Sequence, residues 1–210
     1  MNPKQLLLNY GLRMVKDELV RANWGNISLR VEQGFIISPS GIDYENIREN
    51  DLVTLSLTGE KLEGKKKPSS ETPMHLEIYR QMPEICAIVH THSVYASAFA
   101  VNRMDIPPVV EDMIQIAGGD IRVAEYALPG TKELADYAVK ALEGRNACLL
   151  ANHGVIGIGR TIEEAYKVCL ITEKSAHIAW VSQTMGTPVR LSDEDISFMV
   201  DYYLHSYGQK

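Results

Sequence analysis

Apolar residues recur along this chain at two spacings, and each predicts its own kind of element. Spacings of three and four predict helices. The first covers 3–21, with Leu8, Leu12, Val15 and Leu19 on one stripe, and ends near Asn23. A second covers 72–82, with Met74, Ile78 and Met82 on one face and Pro83 as its stop. A short helix follows over 93–101. Thr131 opens another, with Leu134, Ala138, Val139 and Leu142 inward and Gly144 ending it. A long one starts at Thr161 and reaches Thr184, and Ser192 opens the last, which carries Ile196, Met199 and Val200. Thr72, Thr131, Thr161 and Ser192 each offer the side-chain oxygen an N-cap needs. Pro73 suits the first helical position, and Thr161-Ile162-Glu163-Glu164 has the capping-box pattern. Short apolar runs predict strands over 27–31, 35–38, 52–57, 85–89, 121–127, 148–151 and 155–158. Gln33-Gly34 turns the first pair into a hairpin, and Thr58-Gly59 turns the chain after the third run.

The length, 210 residues, fits one domain spanning 1–210. A net charge of −6 argues against a nucleic-acid or anionic-membrane partner. Leu6-Leu7-Leu8 is soon interrupted by Asn9 and Arg13, so neither a signal peptide nor a membrane span is expected. Cys86, Cys148 and Cys169 sit in apolar contexts and read as buried thiols of a cytoplasmic protein. The basic stretch Gly64-Lys65-Lys66-Lys67-Pro68 reads as a solvated loop, with phosphate steering as its sharper alternative.

The chemistry centres on His90-Thr91-His92, where the apolar run 85–89 ends. In extended chain, residues i and i+2 share a face, so the two imidazoles can stand side by side as half a metal site. His153 lies in a turn between two buried runs, and Glu71 lies just ahead of the second helix. Three imidazoles and a carboxylate suit a catalytic divalent metal with an exchangeable position. His75, inside that helix, reads as structural. Around these residues lie groups that can hold an anion without a formal positive charge. Gly25 allows a close backbone approach and Asn26 offers an amide, or the pair is simply a helix end and turn. Ser38-Pro39-Ser40-Gly41 is either a turn or an anion-binding nest, and Ser69-Ser70 precede a helix N-terminus. A metal beside a phosphate pocket suggests a small phosphorylated carbonyl compound as substrate.

Gly25-Asn26-Ile27-Ser28, Ser38-Pro39-Ser40-Gly41, Ser69-Ser70-Glu71, His90-Thr91-His92 and Asn152-His153-Gly154 occur in that order. Ala117-Gly118-Gly119, Tyr126-Ala127 and Pro129-Gly130-Thr131 lie between them. In this the chain resembles, over nearly its whole length, the class II aldolase/epimerase family of L-fuculose-1-phosphate aldolase and L-ribulose-5-phosphate 4-epimerase. The resemblance implies a three-layer α/β/α fold around a mainly antiparallel sheet. It implies one Zn2+ per subunit, replaceable by Mn2+ or Co2+, held by Glu71, His90, His92 and His153. It implies phosphate recognition by Gly25, Asn26, Ser40, Gly41, Ser69 and Ser70, and a homotetramer with active sites at subunit interfaces. Glu71 would leave the metal to act as acid/base, and Tyr207 would enter a neighbouring subunit's site. The family's second catalytic tyrosine falls in the segment 110–114, where this chain has Asp112 preceded by Glu111. Either acid could relay a proton, contact the aldehyde end or cap a helix. The epimerases usually carry Asp where Glu71 stands, so the expectation is an aldolase that releases dihydroxyacetone phosphate and an aldehyde from a ketose 1-phosphate. A 4-epimerase, a 3-oxo-tetronate 4-phosphate decarboxylase, a methylthioribulose-1-phosphate dehydratase and a non-catalytic adducin-like module are the alternatives.

Overall fold

Strand residues alternate between two apolar clusters, and this alternation builds the molecule. The computed structural model describes residues 2–209. In β5 (Ala87–Thr91), Ala87 and Val89 join one cluster while Ile88 joins the other. In β7 (Ala147–Leu150), Ala147 and Leu149 face one way, Cys148 and Leu150 the opposite way. A sheet buried on both faces reads as an apolar run rather than an apolar–polar alternation, which is why 85–89 and 148–151 look continuous in sequence.

Eight strands form one sheet. The others are β1 (Asn26–Val31), β2 (Gly34–Ile37), β3 (Val53–Leu55), β4 (Lys61–Glu63), β6 (Arg122–Ala124) and β8 (Gly154–Gly159). Their spatial order is β4-β3-β2-β1-β5-β8-β7-β6, antiparallel throughout except for β6 with β7. One face packs against α1 (Pro3–Lys16), α3 (Val94–Val101), α4 (Glu111–Ala117) and α6 (Ile162–Met185) through Leu7, Phe99, Met113 and Tyr166. The other packs against α2 (Thr72–Gln81) and α5 (Lys132–Ala141) through Met74, Ile78, Leu134 and Ala138. Burying each of the Leu, Ile, Met and Phe side chains among these is worth roughly 1.5–3 kcal/mol. The expected three-layer α/β/α sandwich around a mainly antiparallel sheet is therefore observed. The C-terminal α7 (Asp193–His205) lies against α4. Among the described residues, no helix is long and apolar enough to cross a membrane. Cys148 and Cys169 are buried as expected, whereas Cys86 is half-buried.

Three of the expected N-caps form: Thr131, Thr161 and Ser192 accept from the backbone N–H of Leu134, Glu164 and Asp195. Such caps typically contribute about 1 kcal/mol each. Other expectations need correction. The first helix stops at Lys16, not near Asn23. Its buried stripe is Leu7, Tyr10, Gly11 and Met14, while Leu12 is 45% exposed. The two stripes have the same spacing, and Tyr44 selects between them by packing its ring where a Gly11 Cβ would stand. At α2, Glu71 rather than Thr72 occupies the cap position, and the Thr72 hydroxyl donates back to the Ser69 carbonyl. The strand over 121–127 shortens to β6. Helix α4 and strand β4 have no counterpart among the helix and strand ranges that the apolar spacing predicts. The first has only seven residues. The second is a fully exposed edge strand, without the apolar alternation that marks a strand in sequence.

Candidate active site

The site forms where β1, β5 and the β7–β8 turn meet the start of α2. His90 has the parity of Ile88, so β5 carries it on the α2 face, and His92 follows just past the strand's end. The antiparallel register sets Asn26 of β1 directly opposite His90. The turn into β1 must pass close to that strand. Gly25 takes φ +95°, and a Cβ there would stand 2.6 Å from the His90 carbonyl oxygen. On the other flank β8 pairs with β5, and a Cβ on Gly154 would lie 2.2 Å from the Thr91 carbonyl oxygen. That close approach, with Asn152 at φ 56°, turns His153 back over the strand end.

Glu71 completes the cluster from the cap position of α2. Its Oε2 is 2.9 Å from His90 Nε2, and its Oε1 is 3.2 Å from His153 Nε2. His92 Nε2 lies 2.9 Å from His90 Nε2. The three imidazole rings stand edge to face, with centroids 4.8–5.0 Å apart. One ligand atom from each of Glu71, His90, His92 and His153 lies within 4.8 Å of the others. His90 Nδ1–H donates to the Val155 carbonyl at 2.9 Å, the usual way in which a ligating imidazole is oriented from behind.

The electrostatics favour a cation at this point. Burial opposes the Glu71 carboxylate, but His90, His153 and the Asn26 amide outweigh it and hold the group well below the usual carboxylate range. Burial also opposes a charged His90, yet Glu71 raises it. For His92 and His153, burial and the neighbouring His90 push the imidazoles down to about 3 and about 4. They stay neutral and present lone pairs. Glu71 Oε1 and His153 Nδ1 are buried with no hydrogen-bond partner. A buried unsatisfied oxygen costs about 1–3 kcal/mol, and a divalent ion among these donors would satisfy it. The donor set fits such an ion.

Of the anion-binding candidates, Asn26 and Ser69 bond to Glu71 itself. An isolated bridge between Pro39 and Pro68 joins the segments of Ser40 and Ser69, with Ser40 N–H donating to Lys67 and Ser69 N–H to Ser38. In that antiparallel register Ser38 lies opposite Ser69, and Ser40 lies opposite Lys67. Ser69 is buried and its Oγ accepts from Glu71 N–H at 3.2 Å. Ser40, Gly41 and Ser70 are exposed. Asn26 Nδ2 donates to Glu71 Oε2 at 2.8 Å. The lysines of the basic stretch are exposed, and Lys66 lies 3.8 Å from Asp51.

Two expected residues are not brought to the cluster by their own chain. Asp112 sits in the first turn of α4, paired with Lys174. Tyr207 lines a cavity with Arg160, Lys167 and Tyr203 at the far end of β8. Conversely, two residues near the cluster carried no site role in the sequence reading. The Trp24 indole is 64% exposed and 6.0 Å from the His92 ring, centroid to centroid. His75 is fully buried and bonded to both Ser28 and Asn26. Its spacing of four from Glu71, one helical turn, was the available signal.

Known proteins resemble this chain over nearly its whole length. A 5-deoxy-D-ribulose 1-phosphate aldolase of Bacillus thuringiensis serovar kurstaki is 39% identical over 209 residues, covering 99% of this chain and 97% of that protein. A 5-methylthioribulose-1-phosphate/5-deoxyribulose-1-phosphate aldolase of Rhodospirillum rubrum is 38% identical, covering 88% and 82%. A solved L-fuculose 1-phosphate aldolase superposes with a TM-score of 0.94 at 40% identity, covering 97% of this chain and 96% of that one. The model of the class II aldolase and adducin N-terminal domain matches residues 5–180, a span that holds every member of the His–Glu cluster. The chain belongs to that family.

Proposed function

We propose that this chain is a class II, metal-dependent aldolase that cleaves a ketose 1-phosphate into dihydroxyacetone phosphate and an aldehyde. The observation that carries this reading is the convergence of Glu71, His90, His92 and His153 with a carboxylate oxygen left unsatisfied. Those four residues would hold the ion, with zinc as the first choice and manganese or cobalt acceptable to the same donors. When bound, the ion supplies Lewis acidity for the substrate carbonyl and for the charge that develops as the C3–C4 bond breaks. The names of the relatives support L-fuculose 1-phosphate or a 5-deoxy- or 5-methylthio-ribulose 1-phosphate as the substrate class.

The chain's own residues divide the work. Glu71, ionised at rest, would take up the proton released by the substrate's C4 hydroxyl as the C3–C4 bond breaks and return it to C3 of the departing three-carbon fragment. Gly25, Asn26, Ser40, Gly41, Ser69 and Ser70 hold the phosphate through neutral N–H and O–H donors. Tyr207 and Asp112 act at the aldehyde half, and because their own chain holds them away from the cluster, that role requires a neighbouring subunit. A homotetramer with shared sites meets this need, and the exposed Phe198, Leu204 and Tyr207 near the C-terminus support further burial by a partner.

The test is cleavage of fuculose, rhamnulose, ribulose, 5-deoxyribulose and 5-methylthioribulose 1-phosphates by zinc-loaded protein, with dihydroxyacetone phosphate read by coupled reduction. Its release from one or more members is expected, and the ranking identifies the aldehyde pocket. Loaded, folded protein that releases none from any member would overturn the reading.

A further inference from the structure

A line of buried polar groups runs from the layer between β1 and α2 to the cluster. Tyr79 OH lies 2.8 Å from Ser28 Oγ, which lies 2.6 Å from His75 Nδ1. His75 Nε2 lies 2.5 Å from Asn26 Oδ1, and Asn26 Nδ2 lies 2.8 Å from Glu71 Oε2. Tyr79, Ser28, His75 and Asn26 are at most 4% exposed.

The direction of every bond in this line follows from its last member. An ionised carboxylate only accepts, so Asn26 must turn its NH2 group to Glu71 and its carbonyl oxygen to His75. A carbonyl oxygen also only accepts, so His75 Nε2 must carry the proton. Nδ1 then accepts from the Ser28 hydroxyl, and Ser28 Oγ in turn accepts from Tyr79. The Asn26 NH2 group has two hydrogens, and among the described residues its one bond is to Glu71. The second N–H is free for a ligand. If the amide flipped, its oxygen would face Glu71, and the same oxygen would face any anion beside it.

We infer that His75 is a positioning residue that locks the Asn26 amide with its N–H groups toward the site, so that one serves Glu71 and the other a phosphate oxygen. The inference rests on the proposed aldolase reading for the identity of the anion. It also accounts for polar groups in a layer that apolar side chains could fill. Buried networks of this kind are retained when every member is satisfied, and they then fix a single arrangement.

The test compares His75→Gln, His75→Asn and His75→Leu in zinc-loaded protein. The glutamine amide nitrogen can stand where Nε2 stands, and the asparagine amide reaches only as far as Nδ1. Binding of inorganic phosphate is measured by calorimetry beside zinc content, with KM for a cleaved ketose 1-phosphate and for its unphosphorylated analogue. His75→Leu and His75→Asn are expected to weaken phosphate binding about 10- to 100-fold, the scale of a lost hydrogen bond to a charged group. His75→Gln should stay within about threefold of wild type, and KM for the unphosphorylated analogue should hold in all three. A purely structural role would lower stability and zinc content, raise both KM values together and treat Gln and Asn alike; that pattern overturns the inference. So does unchanged phosphate binding in His75→Leu, or a wild type that does not bind phosphate. If the leucine variant does not fold, the Gln–Asn contrast decides, beside Ser28→Ala, which removes the donor to Nδ1 and should weaken phosphate binding about threefold. Phosphate binding that follows the predicted order, without cleavage of any ketose phosphate, would uphold His75 while overturning the aldolase reading.

Discussion

Asn26 stands directly opposite His90 in the β1–β5 register, and both side chains reach Glu71 Oε2, at 2.8 and 2.9 Å. One carboxylate oxygen is therefore held by an amide from one strand and an imidazole from the next. Neighbouring strands of a sheet are fixed about 5 Å apart, so the cluster inherits the rigidity of the central sheet rather than of a loop.

The first consequence concerns the ion. His92→Ala should lose bound zinc and reduce cleavage to background. The chain has two tryptophans, and the Trp24 indole beside His92 gives a direct optical readout. Zinc added to chelator-treated wild type should change the emission, and the change should vanish in Trp24→Phe and in His92→Ala. Cleavage that survives complete chelation would remove the ion from the chemistry.

Backbone proximity makes the next prediction. A methyl group on Gly154 would meet the Thr91 carbonyl at 2.2 Å, and neither backbone can yield without pulling β8 from β5. Gly154→Ala should cost about 1–3 kcal/mol of stability, as overpacking does, and should weaken zinc binding because His153 shifts with the turn. Urea titration and a competitive zinc titration check the two halves. A stable variant with wild-type zinc affinity would show that the turn does not set the position of His153.

Much of this site is legible in sequence because it obeys short-range rules. His90 and His92 declare themselves through the period of two, and the caps at Thr131, Thr161 and Ser192 through residue type. What escapes depends on contacts distant in sequence. His75 looks like one more residue of an amphipathic helix until α2 lies across β1 and brings Asn26, 49 positions away, to its ring. The buried face of α1 is settled by Tyr44, and the Glu71 cap position by a carboxylate already engaged with two imidazoles. The short α4 and the polar β4 lack enough pattern to be seen before their neighbours are in place.

Acid should destabilise the metal-free protein through its histidines. Burial pushes His75 down to about 3, and burial with the nearby His90 does the same to His92, at about 3, and His153, at about 4. An unfolded chain protonates these groups near their ordinary value of about 6.5. Between that value and the folded values, the unfolded state binds more protons, so stability rises with pH and falls as acid is added. Chelator-treated protein should take up about two to three protons on unfolding near pH 5. The slope of urea-derived stability against pH measures that uptake; a flat profile between pH 6.5 and 4.5 would contradict it.

The serines ahead of α2 separate phosphate recognition from the rest of the site. Ser69→Ala with Ser70→Ala should raise KM for a phosphorylated substrate about tenfold or more, the scale of one or two hydrogen bonds to a charged group. KM for the unphosphorylated analogue should change little. Ser69 also accepts from Glu71 N–H, so the single Ser70→Ala variant, exposed and free of that bond, is the cleaner probe. Equal effects on both substrates would take these serines out of the phosphate site.

Tyr207 and Glu71 lie at opposite ends of β8 within one chain, so a site that uses both must be built from two chains. Glu71→Gln and Tyr207→Phe should each be nearly inactive alone. Unfolded together and refolded, they should recover activity, because some sites then take Glu71 from one variant and Tyr207 from the other. Random assembly of a closed ring places both native groups in about a quarter of the sites. Recovery toward that fraction, absent when the two proteins are refolded separately and then mixed, would establish exchange of the C-terminal segment between subunits. No recovery from two variants that co-assemble would assign Tyr207 to packing around Tyr202 and Tyr203, the rings it already touches.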